Sequence, residues 1–428
     1  MSELKVGLAG LGTVGAAVFR MLERRKAELE ARTGRTLRVT AVAARDRSRD
    51  RGLDLSGVAW FEDPVALAHD GDIDVFVELM GGDGDPARAA VAAALDRGIP
   101  VVTANKALLA KCGADLARRA EASGAGLHFE AAVAGGIPIV KTLREALAGN
   151  TIERVSGILN GTCNYILTRM AEEKLSFHVC LTEAQRLGYA EADPTFDIDG
   201  FDTAHKLAIL TSLAFGTQVD ADSIYVEGIR QLTLADLEAA DDLGYRVKLL
   251  GVAVRTETGI EQRVHPTMVP KHWPIAQVSG VTNAVAVDGD AVALTLVGPG
   301  AGGAATASAV VGDLFDVARG ATGFAFGLPV AGLTRAERAP MQRHEGGYYI
   351  RLAVVNKPGT AATIARRMAD EQISLESIMQ RRPDGAETAR VILITYATTE
   401  EAVRRAIAAI EADGVISALP QVIRIEKD

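Results

Sequence analysis

The chain has few cysteines, no block of like charges and no unbroken apolar run of membrane-spanning length. Three cysteines in 428 residues, Cys112, Cys163 and Cys180, lie far apart and form no C-x-x-C pair. That excludes a disulfide scaffold and a sequence-local zinc site, and points to a reducing compartment, the cytoplasm. Lys and Arg number 46 against 55 Asp and Glu, a formal net charge of −9. Such a balance argues against a nucleic-acid partner, which needs a basic face to displace counterions. No basic cluster marks a membrane-surface patch either. Ala291 to Gly312 is 22 residues without a charge, in principle long enough for a bilayer. Gly298, Pro299, Gly300, Gly302 and Gly303 interrupt it, so it reads as a buried strand entering a glycine-rich loop. Met1-Ser2-Glu3-Leu4-Lys5 runs straight into a strand pattern, and no signal peptide is expected. At 48% hydrophobic the chain is too apolar for disorder. Its length allows two to four domains at ~100–200 residues each.

What is present is an alternation. Leu4–Ala9, Leu37–Ala44, Asp74–Leu79 and Ile99–Thr103 read as short buried strands. Helical patterns at Gly15–Arg32, Pro86–Arg97 and Lys111–Ser123 fill the gaps, which implies a parallel sheet covered on both faces. After Phe129 the rhythm changes. The turn Gly135-Gly136-Ile137-Pro138 leads into an expected helix Ile139–Ala148, and Leu249–Arg255, Glu261–Met268 and Ala291–Val297 are strand-like. An α+β domain with an open mixed sheet is therefore expected. The charged stretch Thr334–Gly347 reads as a linker. Beyond it Tyr348–Asn356, Thr360–Glu371, Ser374–Arg381, Ala389–Tyr396, Glu400–Ala412 and Gln421–Ile425 follow a β-α-β-β-α-β order, with a turn at Pro383-Asp384-Gly385. That order is ferredoxin-like. The fold class is α/β: a nucleotide-binding domain over 1–129, with about 305–340 returning to it, then a substrate and dimerisation domain over 130–304 and a module over 347–428.

Gly10-Leu11-Gly12-Thr13-Val14-Gly15 is a G-x-G-x-x-G directly after the first strand and opening a helix. In that setting Gly10 permits the tight turn, Gly12 admits a pyrophosphate to the backbone and Gly15 allows close helix packing, a Rossmann-type site. The acid that usually meets the ribose 2′-hydroxyl of NAD is missing at Ala44. Arg45 and Arg47 follow, which favours a 2′-phosphate and NADP, while Asp46 keeps NAD as the alternative. Thr103-Ala104-Asn105-Lys106 puts a lysine at a strand's carboxyl end, where open α/β sheets bind ligands; the spacing alone better fits a surface lysine. The densest polar cluster runs from Ala184 to Lys206. Asp202 and Lys206 are four apart and share one helical face. An apolar helix, Leu207–Leu213, lies just downstream, so the pair reads as partly buried rather than as a surface salt bridge. A lysine so placed suits general acid–base work.

Here the chain resembles a known family. Ala184, Gly188, Asp193, Pro194, Asp197, Gly200, Asp202 and Lys206 fill every anchor of the homoserine dehydrogenase signature, A-x-x-x-G-Y-A, D-P-x-x-D-I-x-G-x-D and x-x-x-K. The likeness extends to Val77–Gly82, to Asn160–Tyr165 and to Gly298–Gly303. The module over 347–428 resembles an ACT domain, a small-ligand sensor, with Asn356-Lys357-Pro358-Gly359 at its first turn. The resemblance implies interconversion of L-homoserine and L-aspartate 4-semialdehyde with NADP or NAD, on the way to threonine, methionine and isoleucine. It implies that Lys206 exchanges the hydroxyl proton with help from Lys106, and that Glu191 and Asp202 hold the substrate ammonium. Asp197, Gly161, Thr162 and Tyr189 line the pocket, and Thr103, Lys106, Gly188, Gly302 and Gly303 join Gly10, Gly12, Thr13, Val14, Gly15 and Arg45 around the cofactor. Glu130 resembles a monovalent-cation (sodium) position, with carbonyls of Val133, Gly135 and Ile137. A homodimer or homotetramer regulated by threonine is the corresponding assembly.

Two other readings remain open from the residues. Cys163 could be the nucleophile of a phosphorylating semialdehyde dehydrogenase, although the cluster ending at Lys206 would then have no role. A non-catalytic amino-acid sensor would use the module for its ligand and the nucleotide domain as a reporter.

Overall fold

The computed structural model describes residues 2–355, 357–381 and 388–426. The expected turn at Pro383-Asp384-Gly385, and Asn356 in the module's first turn, lie outside the described residues. The chain begins β1 (Ser2–Ala9), α1 (Thr13–Arg24), α2 (Lys26–Thr33), β2 (Arg35–Ala43), β3 (Ala59–Phe61), α3 (Pro64–Asp70), β4 (Val75–Glu78), α4 (Ala87–Asp96), β5 (Val101–Thr103), α5 (Lys106–Ser123) and β6 (Leu127–His128). Next come α6 (Ile139–Lys141), β7 (Ile152–Ile158), α7 (Gly161–Glu173), α8 (Phe177–Arg186), α9 (Thr195–Ile198), α10 (Phe201–Phe215), β8 (Tyr225–Val226), α11 (Leu234–Asp242), β9 (Tyr245–Thr256) and β10 (Gly259–Pro270). The remainder is β11 (Thr282–Gly289), β12 (Ala293–Pro299), α12 (Gly303–Ala318), β13 (Glu345–Val355), α13 (Thr360–Asp370), β14 (Leu375–Arg381), β15 (Thr388–Thr395), β16 (Thr398–Thr399), α14 (Glu400–Ala412) and β17 (Gln421–Ile425). Contacts divide it into two compact units: Met1–Gly161 with Asp202–Ile224 and Val281–Ala336, and Thr162–Phe201 with Tyr225–Gly280 and Glu337–Asp428.

The first unit holds a parallel sheet in the order β3-β2-β1-β4-β5-β6. This is the doubly wound dinucleotide-binding order, whose crevice opens at the carboxyl ends of β1 and β4. Val6, Leu8, Val75, Phe76, Val77 and Val101 are fully buried, as strands covered on both faces require. α12 shares a core with α1, where Ala307, Val310 and Leu314 meet Val18, Phe19 and Leu22. The same unit also contains residues 130–161 and an antiparallel β7-β11-β12 ladder.

Two expected helices are broken. Arg25 (φ −104°, ψ 16°) leaves helical geometry and separates α1 from α2. The helix expected over Ile139–Ala148 is three residues of α-helix followed by a π-helical stretch, Thr142–Ala146. The uncharged stretch Ala291–Gly312 divides between β12, a glycine loop and α12. Among the described residues no helix is long and apolar enough to cross a membrane.

In the second unit one sheet runs β9-β10-β17-β13-β15-β14. β17 pairs parallel with β10 (Thr267 to Arg424, Met268 to Ile425) and antiparallel with β13. The C-terminal module is therefore built into the same sheet as β10 rather than strung on a linker. The stretch Thr334–Gly347, expected to be that linker, is ordered: Thr334 bridges Thr217, Arg338 bridges Ile260, and the Nδ1 of His344 lies 3.0 Å from Glu261. Its charges looked solvated because their partners are remote in sequence. Buried Arg424 donates to Glu400 at 2.6 and 3.1 Å and to Glu227 and Tyr225, while buried Arg263 meets Glu261, Glu426 and His265. Such buried pairs add little net stability, but a shifted β17 would strand a charge, so they fix its register.

Candidate active site

Two glycines of the first turn are dictated by backbone packing. A Cβ on Gly10, whose φ is +100°, would lie 2.6 Å from the Leu79 carbonyl oxygen, and one on Gly15 would lie 1.9 Å from that of Gly10. At Gly12 a Cβ would meet nothing within 4 Å. That glycine is not needed by the protein's own packing and leaves the space open. Gly12 caps α1, which begins with Thr13 and Val14, and Gly302 caps α12; neither helix has an acidic residue in its first turn. A Cβ on Gly303 would lie 3.1 Å from Thr13 Cγ2, so the two helix N-termini stand side by side. Unsatisfied N–H groups and two positive dipole ends then face one space, as a pyrophosphate requires.

Arg45 is exposed just beyond β2. Asp46 accepts from the Ser48 hydroxyl (2.7 Å) and N–H (2.9 Å), and those bonds hold its carboxyl below its ordinary value. Arg51, which sequence reasoning passed over, donates to the Leu11 carbonyl at 3.2 Å and stacks with Arg47 against Trp60. The signal was available as an alternation of arginines at 45, 47, 49 and 51.

At the carboxyl ends of β4 and β5 a fully buried glutamate organises the crevice. Glu78 accepts the N–H groups of Met80 (2.7 Å) and Gly81 (3.2 Å) and the Thr103 hydroxyl (2.6 Å). Thr103 Oγ1 in turn accepts the Asn105 N–H at 3.0 Å, and Asn105 caps α5 by accepting from Leu108. The Thr103 side chain is thereby committed within the protein, leaving only its backbone for a cofactor. Glu78 was legible as one carboxylate closing an otherwise apolar strand, Val75–Glu78.

Lys106 opens α5, and Asp202 and Lys206 lie one turn apart on α10. Asp202 is 4% exposed. Lys206 Nζ reaches one carboxylate oxygen at 2.7 Å and Lys106 Nζ the other at 2.9 Å. Asn160 Nδ2 adds a third donor at 2.9 Å, and Lys206 also donates to the Leu159 carbonyl at 2.7 Å. Burial opposes the charge on Asp202, but the ammonium groups of Lys206 and Lys106 prevail and hold its carboxyl far below the usual range. Its Oδ2 accepts from Lys206 and Asn160, and its Oδ1 accepts from Lys106. This geometry fixes the two lysines.

The second unit holds the other expected pocket residues. Thr162 donates to the Tyr189 carbonyl at 2.6 Å, and the Tyr189 ring meets Tyr165 edge-on at 5.0 Å. Cys163 is fully buried and its thiol donates to the Asp197 carbonyl at 3.2 Å. A thiol so enclosed is a packed structural group rather than an accessible nucleophile, which removes the reason for an acyl-enzyme reading. Glu191 is exposed, and Gly188 follows the end of α8. Gly161 starts α7 from the first unit, where a Cβ would lie 2.8 Å from the Val281 carbonyl oxygen.

Glu130 is 4% exposed and accepts the N–H groups of Val140 (2.9 Å) and Lys141 (2.8 Å), while its own N–H donates to Asp313 at 2.9 Å. Burial pushes Glu130 up to about 7 and Asp313 up to about 6. Among the described residues no donor reaches the carbonyl oxygens of Val133 or Gly135, and that of Ile137 accepts only from Ile139.

A doubly wound sheet with an open glycine turn, and two lysines gathered by one carboxylate at its crevice, define a nicotinamide-nucleotide-dependent oxidoreductase. Family models for the homoserine dehydrogenase NAD-binding domain, homoserine dehydrogenase and the ACT domain match residues 10–130, 138–315 and 348–414. The homoserine dehydrogenase of Pseudomonas aeruginosa is 45% identical over 437 residues, with 100% of each chain covered. A solved homoserine dehydrogenase from Thiobacillus denitrificans has 45% identity and a TM-score of 0.93, covering 100% of this chain and 99% of its own. A hyperthermophilic archaeal homoserine dehydrogenase, solved with NADPH, is 27% identical with a TM-score of 0.64, covering 75% and 99%. The chain belongs to the homoserine dehydrogenase family.

Proposed function

We propose that this chain interconverts L-homoserine and L-aspartate 4-semialdehyde with NADP, within threonine, methionine and isoleucine biosynthesis. The observation that carries the mechanism is Asp202 held between Lys106 and Lys206. Bound nicotinamide supplies or accepts the hydride. In the reductive direction Lys206 donates a proton to the aldehyde oxygen, Lys106 stabilises the same oxygen, and Asp202 keeps both side chains aimed at it. Glu191 is assigned to the substrate ammonium, and Asp197, Thr162, Tyr189 and Gly161 to substrate binding. The test is absorbance at the nicotinamide band with homoserine and either cofactor; no turnover from neutral to alkaline pH would overturn the reading.

Support for NADP comes from Arg45, exposed just beyond β2 where no acid stands at Ala44, and from Asp46, which is engaged by Ser48. The archaeal relative solved with NADPH supports the same choice. Replacing Arg45 by alanine should raise KM for NADP about 10–100-fold, the worth of one charged hydrogen bond, and leave KM for NAD little changed. Equal effects on both cofactors would remove the assignment.

The residues proposed for a monovalent cation such as sodium have the right chemistry: a buried carboxylate, and the carbonyls of Val133 and Gly135 that no donor reaches among the described residues, are hard-ion ligands. Because folding raises the pKa of Glu130 from 4.5 to about 7, stability is lost as pH rises through that value unless a cation compensates. Sodium chloride, against choline chloride, should therefore raise Tm at pH 8 by roughly 2–4 °C per kcal/mol of linked binding. The difference should vanish at pH 5; an equal response to both salts at pH 8 would exclude the site.

L-Threonine is the effector this reading assigns to the ACT module. A cavity of 510 Å³ there is lined by Val354, Val355, Lys357, Pro358, Gly359 and Thr360. Millimolar threonine should raise Tm and depress turnover together, and the absence of both effects would remove the role. Self-association as a homodimer or homotetramer and a cytoplasmic setting complete the proposal. The latter is supported by three free cysteines.

A further inference from the structure

β9 carries one lysine into the interior of the second unit. Lys248 is 5% exposed, and its Nζ donates to Asn164 Oδ1 at 3.1 Å and to the Val278 carbonyl at 2.5 Å, both neutral acceptors. Lys5, Lys106, Lys111, Lys141, Lys206 and Lys271 each have a carboxylate oxygen within 3.3 Å. Among the described residues no carboxylate stands within ion-pair distance of Lys248. A buried ammonium without a counter-charge is costly, and the neutral amine relieves that cost. Burial, reinforced by Arg246 on the same strand and resisted by Glu172, draws Lys248 down to about 8. A neutral amine is nucleophilic.

The same side chain lines a cavity of 250 Å³, with Thr168, Glu172, Leu237, Tyr245 and Gln277 among its walls. That is smaller than the sites that take drug-sized ligands, so only a small molecule fits. Oxidation of the primary alcohol of homoserine yields a small electrophile of that size, a four-carbon aldehyde. From the cavity, the amine without a counter-charge and this chemistry we infer that Lys248 is a covalent capture site for small aldehydes. Only the choice of aldehyde rests on the proposed reaction.

The step balances without a redox partner. The amine lone pair attacks the carbonyl carbon and forms an N–C bond. The carbonyl oxygen then leaves as water, giving an imine that hydrolysis reverses. An imine nitrogen retains at most one N–H, so it cannot serve both Asn164 and Val278. These two belong to a buried knot in which Asn164 Nδ2 donates to the Val278 and Gly280 carbonyls, and the Gly280 N–H donates to Thr168. Capture therefore costs the knot a hydrogen bond that holds α7 to the turn 278–280.

The full chain is incubated at pH 8 with succinic semialdehyde and cyanoborohydride, which reduces any imine to a stable secondary amine, and digested for mass spectrometry. Modification at Lys248 should be at least about tenfold faster than at Lys26, which is exposed on α2. Lys248→Arg, which retains donors for Asn164 and Val278, should lose this adduct and keep the slower ones. Labelling at Lys26 with Lys248 untouched overturns the inference. Homoserine turnover of the untreated chain is measured separately, so failure of that reaction and failure of this site are distinguishable.

Discussion

Replacing Lys206 by methionine lowers kcat for homoserine oxidation by about 10²–10⁴-fold, the usual worth of a positioned acid–base group. Cofactor affinity stays near that of the parent, because the glycine turn and the caps of α1 and α12 do not involve Lys206. In the proposed mechanism the lysine acts on the transferred proton, so its loss should appear in the chemical step. Lys206→Arg separates charge from proton transfer. It preserves a cation beside Asp202, yet a guanidinium does not release its proton at working pH, and kcat should remain low. An unchanged kcat in the methionine variant, with folding intact, would refute the role.

Asp202→Asn has the second large effect. Two ammonium groups then face each other with no anion between them, and breaking a buried pair by removing one partner costs about 3–5 kcal/mol. Turnover should fall with stability, since neither lysine keeps its aim. The acid limb gives an independent reading. The folded pKa of Asp202 is depressed, so its contribution is present above the unfolded value of ~3.9 and is lost as pH falls through the folded value. In the asparagine variant this component of acid denaturation disappears. Equal urea midpoints for parent and variant at neutral pH would show that the carboxylate does not hold the lysines together.

Wherever the decisive interaction was local, the sequence was informative. The turn Gly10–Gly15 follows its strand and opens its helix within a few residues, so its spacing already states its packing. Asp202 and Lys206 share a face because helical period is a property of four successive residues. Glu78 and Arg51 carried weaker local signals, a lone carboxylate in an apolar strand and an alternation of arginines, that only their partners made interpretable. Thr334–Gly347 misled because charge reads as solvation until the partners are known; Glu261, which meets His344, is far away in sequence.

The sequence alone determined that this is a nucleotide-binding α/β enzyme chain with an appended ferredoxin-like module, and which lysines and carboxylates are available for the chemistry. Glycine turns, helix period and strand alternation are short-range consequences of covalent geometry and survive without knowledge of the rest of the chain. Only the tertiary structure decided that Asp202 serves Lys106 as well as Lys206. Only it showed that Lys248 is buried without a counter-charge, and that β17 enters the sheet beside β10. Burial and charge pairing are sums over neighbours remote in sequence, so no local pattern contains them.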